Sequence, residues 1–201
     1  MASDRVISRP FEALKTGASL GAKRLLGCLI EREIDGKMVQ LKIVETEAYD
    51  QTDAASHSYN GRTPRIETMF GPAGHLYVYF TYGMHYCCNV VVGEDGHGAA
   101  VLIRAAEPIT NVEILEKRRV GKKGVDLTNG PAKLCQALDI NLDLNGHDLS
   151  LLPFRLVLQP ELLDSDITTT TRVGINKAKD TPWRFYVTDN PYVSVKVRDS
   201  K

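Results

Sequence analysis

Residues 75–82 (HLYVYFTY) and 85–92 (HYCCNVVV) are two aromatic and β-branched runs separated only by Gly83-Met84. This is the strongest hairpin signal in the chain, and it commits the protein to antiparallel pairing. Gly27–Glu33 and Met38–Tyr49 read as two more strands around the turn Asp35-Gly36. A further strand, Ala99–Ala106, follows the glycine-rich turn at 93–98. Helices are predicted over 11–26, 110–119 and 130–138, the last opening at Gly130-Pro131, where proline suits a first helical turn. Short strands are predicted near 155–159, 184–188 and 192–197. No regular alternation of strand and helix occurs, which disfavours a Rossmann or barrel fold. At 201 residues, without repeats or linker-like tracts, the chain reads as one α+β domain over 1–201. Its sheet should be mostly antiparallel and curved, with helices packed on it.

Chemistry concentrates in three places. In Ile43-Val44-Glu45-Thr46-Glu47-Ala48-Tyr49, strict alternation places Leu41, Ile43, Glu45, Glu47 and Tyr49 on one face. If that face is buried, a carboxylate there can act as a general base on water. If it is a wet strand edge, the pair has no function. A long polar connection, 50–74, follows and contains Ser56-His57-Ser58. Its length suggests function or short helices of its own. Second, Tyr77, Tyr79, Tyr82, His85 and Tyr86 form an aromatic ladder around the tight turn. Such residues either pack across strands or stack on a planar ligand. A simple two-residue turn would pair Val78 with Asn89 and place Tyr79 and Asn89 on opposite faces. A longer loop would bring them together. Third, Asn89 and Arg104 lie inside apolar strands and need partners. For Arg104 these would be Glu45, Glu47 or a phosphate.

The net charge is zero, so no whole-molecule basic field drives strong non-specific DNA binding. The densest basic stretch is Glu116-Lys117-Arg118-Arg119-Val120-Gly121-Lys122-Lys123. Cys28, Cys87, Cys88 and Cys135 include no CxxC pair and read as small buried thiols. No apolar run approaches the roughly 20 residues that span a bilayer. The opening MASDRVISRP lacks signal-peptide order, so a cytoplasmic protein is expected: nucleoid-associated if bacterial, nuclear if eukaryotic.

The segments VETEAYDQTDAASHSYNGRTPR, GHLYVYFTYGMHYCCN, AVLIRAAEP, NGPAKLCQALDI and TPWRFYV occur in this order over roughly residues 20–198. Together they resemble the alkyladenine (3-methyladenine, or methylpurine) DNA glycosylase family. The resemblance implies an enzyme that flips alkylated or deaminated purines from duplex DNA and hydrolyses the N-glycosidic bond. Under it, Glu47 is the general base and Arg104 lies beside the catalytic water. Tyr49 and His57 contact the flipped nucleotide, Tyr79 is the opposite stacking wall, and Asn89 excludes guanine's amino group. The hairpin protrudes into DNA: Tyr82 fills the vacated stack, with Met84 and His85 beside it. No lysine aligns with a Schiff-base nucleophile, which implies a monofunctional enzyme. The resemblance implies neither cofactor nor metal, and a monomer acting on double-stranded DNA with damaged purines.

Two other readings start from the same residues. One is a nucleic-acid binding module that kept the wedge without turnover. The other is a metal-dependent hydrolase using Glu45, Glu47 and His57. A local basic surface could form from Arg62, Arg65, the 117–123 stretch, Arg172, Lys177 and Lys179.

Overall fold

A computed structural model describes residues 11–195. The chain enters through a 3-10 turn, Glu12–Leu14, and then helix α1, Ala18–Leu25. The helix predicted over 11–26 is therefore broken at Lys15–Gly17, and Gly17 caps α1. Strands β1 (Leu29–Ile34), β2 (Lys37–Asp50), β3 (Leu76–Thr81), β4 (His85–Val91) and β5 (Ala99–Pro108) follow. Helices α2 (Val112–Arg118) and α3 (Pro131–Ala137) come next, then β6 (Phe154–Val157), β7 (Ile167–Thr170) and β8 (Arg184–Val187). β7 was not anticipated. Residues 192–195 form no strand, and the rest of that predicted strand lies outside the described residues.

The eight strands form one sheet in the order β3-β4-β5-β2-β1-β6, with β8 also on β2 and β7 on β8. Among the described residues, every pair of neighbouring strands is antiparallel. This is the expected α+β architecture. β2 is long enough to pair with β1 over Lys37–Lys42, with β5 over Leu41–Asp50 and with β8 over Glu45–Glu47. Helices α1 and α3 pack on one side, over a core that includes Leu25, Ile30, Leu41, Ile43, Val78, Cys88, Val90, Ile103 and Leu134. A smaller cluster of Ile66, Met69, Phe70, Tyr77, Val91 and Ala100 lies under the 3-10 turn Pro64–Phe70. The connection after β2 thus carries short helices of its own, the other being His57–Asn60. All four cysteines are buried and free. Among the described residues, no helix is long and apolar enough to cross a membrane.

Strict alternation along β2 fails at one point, and the failure builds the site. Ile43 pairs with Ala106 and Glu45 with Ala105, leaving Val44 extra; Thr46 then pairs with Ile103, leaving Arg104 extra. These two bulges, one on each strand, exchange the faces. Leu41 and Ile43 belong to the main core, but so do Ala48 on β2 and Ile103 on β5. Glu47, Tyr49, Leu102 and Arg104 line a cavity on the other side. The predicted common face for Leu41, Ile43, Glu45, Glu47 and Tyr49 is therefore divided at Val44. A bulge re-aims side chains in this way.

Candidate active site

The cavity has a volume of about 380 Å³, within the range of about 300–1,000 Å³ usual for small-molecule clefts. Glu47, Tyr49, His57, Tyr79, Tyr82, Asn89 and Arg104 all line it. Met84 and His85 do not; they are exposed on the hairpin tip.

The hairpin register explains how Tyr79 and Asn89 meet. Tyr77 pairs with Asn89, Tyr79 with Cys87 and Thr81 with His85, so the loop is Tyr82-Gly83-Met84. The two-residue turn that would have paired Val78 with Asn89 is not formed. Tyr82 and Gly83 take φ values of 51° and 68°, and the Met84 N–H donates to the Thr81 carbonyl at 3.3 Å. Glycine adopts this left-handed region freely, whereas a bulky residue rarely does. With this register Tyr77, Tyr79, Cys87 and Asn89 share the cavity face. Of the aromatic ladder, Tyr86 instead packs against the main core, and Tyr82 is 81% exposed at the tip. Asn89 is held by its Nδ2, which donates to the Tyr77 carbonyl at 3.1 Å.

Glu45 and Glu47 are fully buried, so neither is a wet strand edge. The Arg104 Nε donates to Glu45 Oε1 at 2.9 Å, and its Nη1 lies 3.2 Å from Glu47 Oε1. Arg104 thus engages both predicted partners. Glu45 also accepts from Arg184 Nε at 2.7 Å, from the Ser194 N–H at 2.6 Å and from Ser194 Oγ at 2.9 Å. Glu47 accepts the Val173 N–H on Oε1 at 2.7 Å and the Tyr49 hydroxyl on Oε2 at 2.8 Å. Burial and then the charge of Glu47 push the Tyr49 hydroxyl far above its ordinary pKa, so it stays a donor. Burial opposes the charge on Arg104, but Glu47 and Glu45 outweigh it and raise its pKa.

His57 reaches the cavity from the 3-10 turn after β2. Gly98 allows that turn to seat closely: a Cβ there would stand 2.8 Å from the Ser58 Cβ and 2.7 Å from the Phe70 ring. The Ser58 hydroxyl donates to the Gly98 carbonyl at 2.8 Å. His57 Nδ1 lies 3.0 Å from the Tyr77 hydroxyl, and its ring meets Tyr79 edge-on at 4.6 Å. Burial first, and then Arg65, lower the His57 pKa. Burial pushes Tyr77 up to about 12. The contact therefore joins a neutral imidazole to a protonated phenol at neutral pH.

Sequence reasoning missed part of the lining: Cys87 and Pro131, and the loop Val173-Gly174-Ile175. Nothing in that loop's composition marks it, since its contribution is a backbone N–H. Arg172, expected on a basic surface, is instead buried against Asp53, and Arg119 turns inward to Gln136 and the Asp126 carbonyl. Glu45, Glu47 and His57 do not converge as metal ligands, because the carboxylates close on guanidinium groups and the imidazole on Tyr77. Among the described residues no group of three His, Cys, Asp or Glu side chains could hold a metal.

The model of the methylpurine-DNA glycosylase family matches residues 12–191. A protein of Carboxydothermus hydrogenoformans is 54% identical over 176 residues, covering 87% of this chain and 92% of its own. One from Francisella tularensis subsp. tularensis is 50% identical over 178 residues, with the same coverage of 87% and 92%. A third, from Methanoculleus marisnigri, is 48% identical over 176 residues, covering 86% and 91%. All three are named provisionally as 3-methyladenine DNA glycosylases.

Proposed function

The chain belongs to the methylpurine-DNA glycosylase family and is a DNA glycosylase, and from that premise we propose how its cavity excises a damaged purine. The lesion is flipped from the duplex and enters between Tyr49 and Tyr79. Asn89 crowds the base edge that carries guanine's amino group. Glu47 takes a proton from a water as the water oxygen attacks C1′. The C1′–N bond breaks, its electron pair leaves with the base, and an abasic site remains. A sugar that becomes oxocarbenium-like needs a carboxylate close by, as in glycoside hydrolysis. An alkylated purine carrying positive charge departs as a neutral base and stacks well on tyrosine faces. Arg104 orients Glu47 and the water beside it. Tyr82, with Met84 and His85, occupies the gap left in the duplex.

The observation that carries this reading is the burial of Glu47 beside a cavity walled by Tyr49 and Tyr79, with Oε1 and Oε2 each fixed by a donor. No lysine lines the cavity among the described residues, which supports hydrolysis without strand cleavage. Glu47→Gln keeps the shape and removes the base. Excision should fall at least roughly 100-fold, the scale of general-base loss, while lesion DNA still binds. Wild-type excision of hypoxanthine by this variant would overturn the assignment. A panel of 3-methyladenine, 7-methylguanine, hypoxanthine and ethenoadenine duplexes would rank the substrates.

A further inference from the structure

The loop that brings Val173 to Glu47 is tied to the loop that carries His57 by an ion pair the proposed chemistry does not use. The side chains of Arg172 and Asp53 are 0% and 3% exposed. Arg172 Nη1 and Nη2 donate to the two Asp53 oxygens, the latter at 3.1 Å, and Nη1 also donates to the Ala48 carbonyl at 2.9 Å. The same guanidinium lies 4.8 Å from the Tyr49 ring centroid and 5.4 Å from that of Trp183. Tyr49 lines the cavity and Arg172 does not. We infer from this that the cation backs the ring and leaves its other face to the pocket.

A ring holding a cation on one face attracts a second cation on its other face less well. One quadrupole serves both, and the two charges repel through it. Asp53 cancels most of that field. We propose that the Arg172–Asp53 pair sets the charge preference of the base pocket. By neutralising the guanidinium behind Tyr49, Asp53 lets that wall accept a positively charged purine as readily as a neutral one. The inference rests on the reading that Tyr49 stacks on the flipped base. Arg172 and Asp53 touch no substrate; they act through Tyr49.

The test compares single-turnover excision of 7-methylguanine, a cation, with that of hypoxanthine, a neutral base, in the same duplex. Asp53→Asn leaves an uncompensated positive charge roughly 8 Å from the stacked base, which at an effective dielectric of about 20 corresponds to a factor of about thirty. The ratio of cationic to neutral excision should therefore fall about thirtyfold in Asp53→Asn. Arg172→Gln leaves the anion instead, and the ratio should rise. A merely structural pair would slow both lesions by one factor in both variants, and that result overturns the proposal. If Asp53→Asn does not fold, Arg172→Gln decides alone, and a ratio that stays level or falls is fatal. Tyr49→Ala separates the two levels of argument. If it excises both lesions at wild-type rates, the stacking reading itself fails. If it slows excision while the ratio in Asp53→Asn and Arg172→Gln stays at the wild-type value, only the charge role fails.

Discussion

At the scale of single residues, the site is two buried carboxylates held by buried cations. Removing one member of such a set exposes the desolvation that the others offset, at a cost of about 3–5 kcal/mol. Glu45 accepts from Arg104, Arg184 and Ser194, so Glu45→Gln should destabilise the fold by about that amount, read as a shift in urea midpoint. A midpoint within error of wild type would mean the two arginines find other partners. Glu45 and Glu47 could be picked out in the sequence as carboxylates sharing one strand face, but the pattern alone leaves a wet edge open, and the role of Glu47 comes from the family resemblance. Arg184 and Ser194 could not, since they reach Glu45 from 139 and 149 residues away. His57 supplies a pH test. Its folded pKa is lowered by burial and then by Arg65, so the neutral form is favoured on folding. Its contribution to stability is present above the unfolded value near 6.5 and is lost as pH falls through the lower folded value. Melting temperature should therefore drop less steeply below about pH 6.5 in His57→Gln than in wild type. Parallel curves would assign the acid sensitivity to other groups.

At the scale of elements, the hairpin was legible and its register was not. Alternating aromatics and β-branched residues announce two strands, but the loop length depends on whether Tyr82 accepts a positive φ. Propensity argues against that, and the structure adopts it. Residues held in rarely populated backbone regions cluster at functional sites, which makes the tip a place to test. The bulges at Val44 and Arg104 escaped notice for a similar reason: two compensating insertions leave the strand pattern on either side intact. They are also what separates Ile43 from Glu47. Tyr82 allows the wedge role to be tested apart from folding. With 81% of its surface exposed, Tyr82→Ala should change stability by no more than about 0.5 kcal/mol. If the ring fills the vacated stack, excision of neutral lesions should weaken by about 1–3 kcal/mol. Cationic, weakly paired lesions open more readily and should suffer less. A large drop in melting temperature with wild-type excision would make Tyr82 a packing residue only.

At the scale of the whole molecule, a DNA enzyme with no net charge must rely on where its few free cations lie. The interior consumes several of them. Arg104, Arg119, Arg172 and Arg184 are all buried, and Arg62 pairs with Glu67 at 3.1 Å. Exposed basic residues near the cavity are Arg65, whose charge already reaches His57 and Tyr77, and Lys177, two residues beyond the lining residue Ile175. Lys117, Lys122 and Lys123 add an exposed stretch after α2. This supply suits a handful of phosphate contacts. Each phosphate neutralised contributes about −0.9 to the slope of log K against log salt, so a slope of roughly −2 to −4 is expected on undamaged duplex. Arg65→Gln should weaken binding to all sequences alike and reduce the slope by about one. It should not alter the ranking of lesions, because a phosphate contact positions the protein without reading the base. Titrations between about 50 and 200 mM salt measure both quantities. A wild-type slope near −10, the value for a repressor that neutralises many phosphates, would show that the protein presents DNA with far more positive surface than these residues supply.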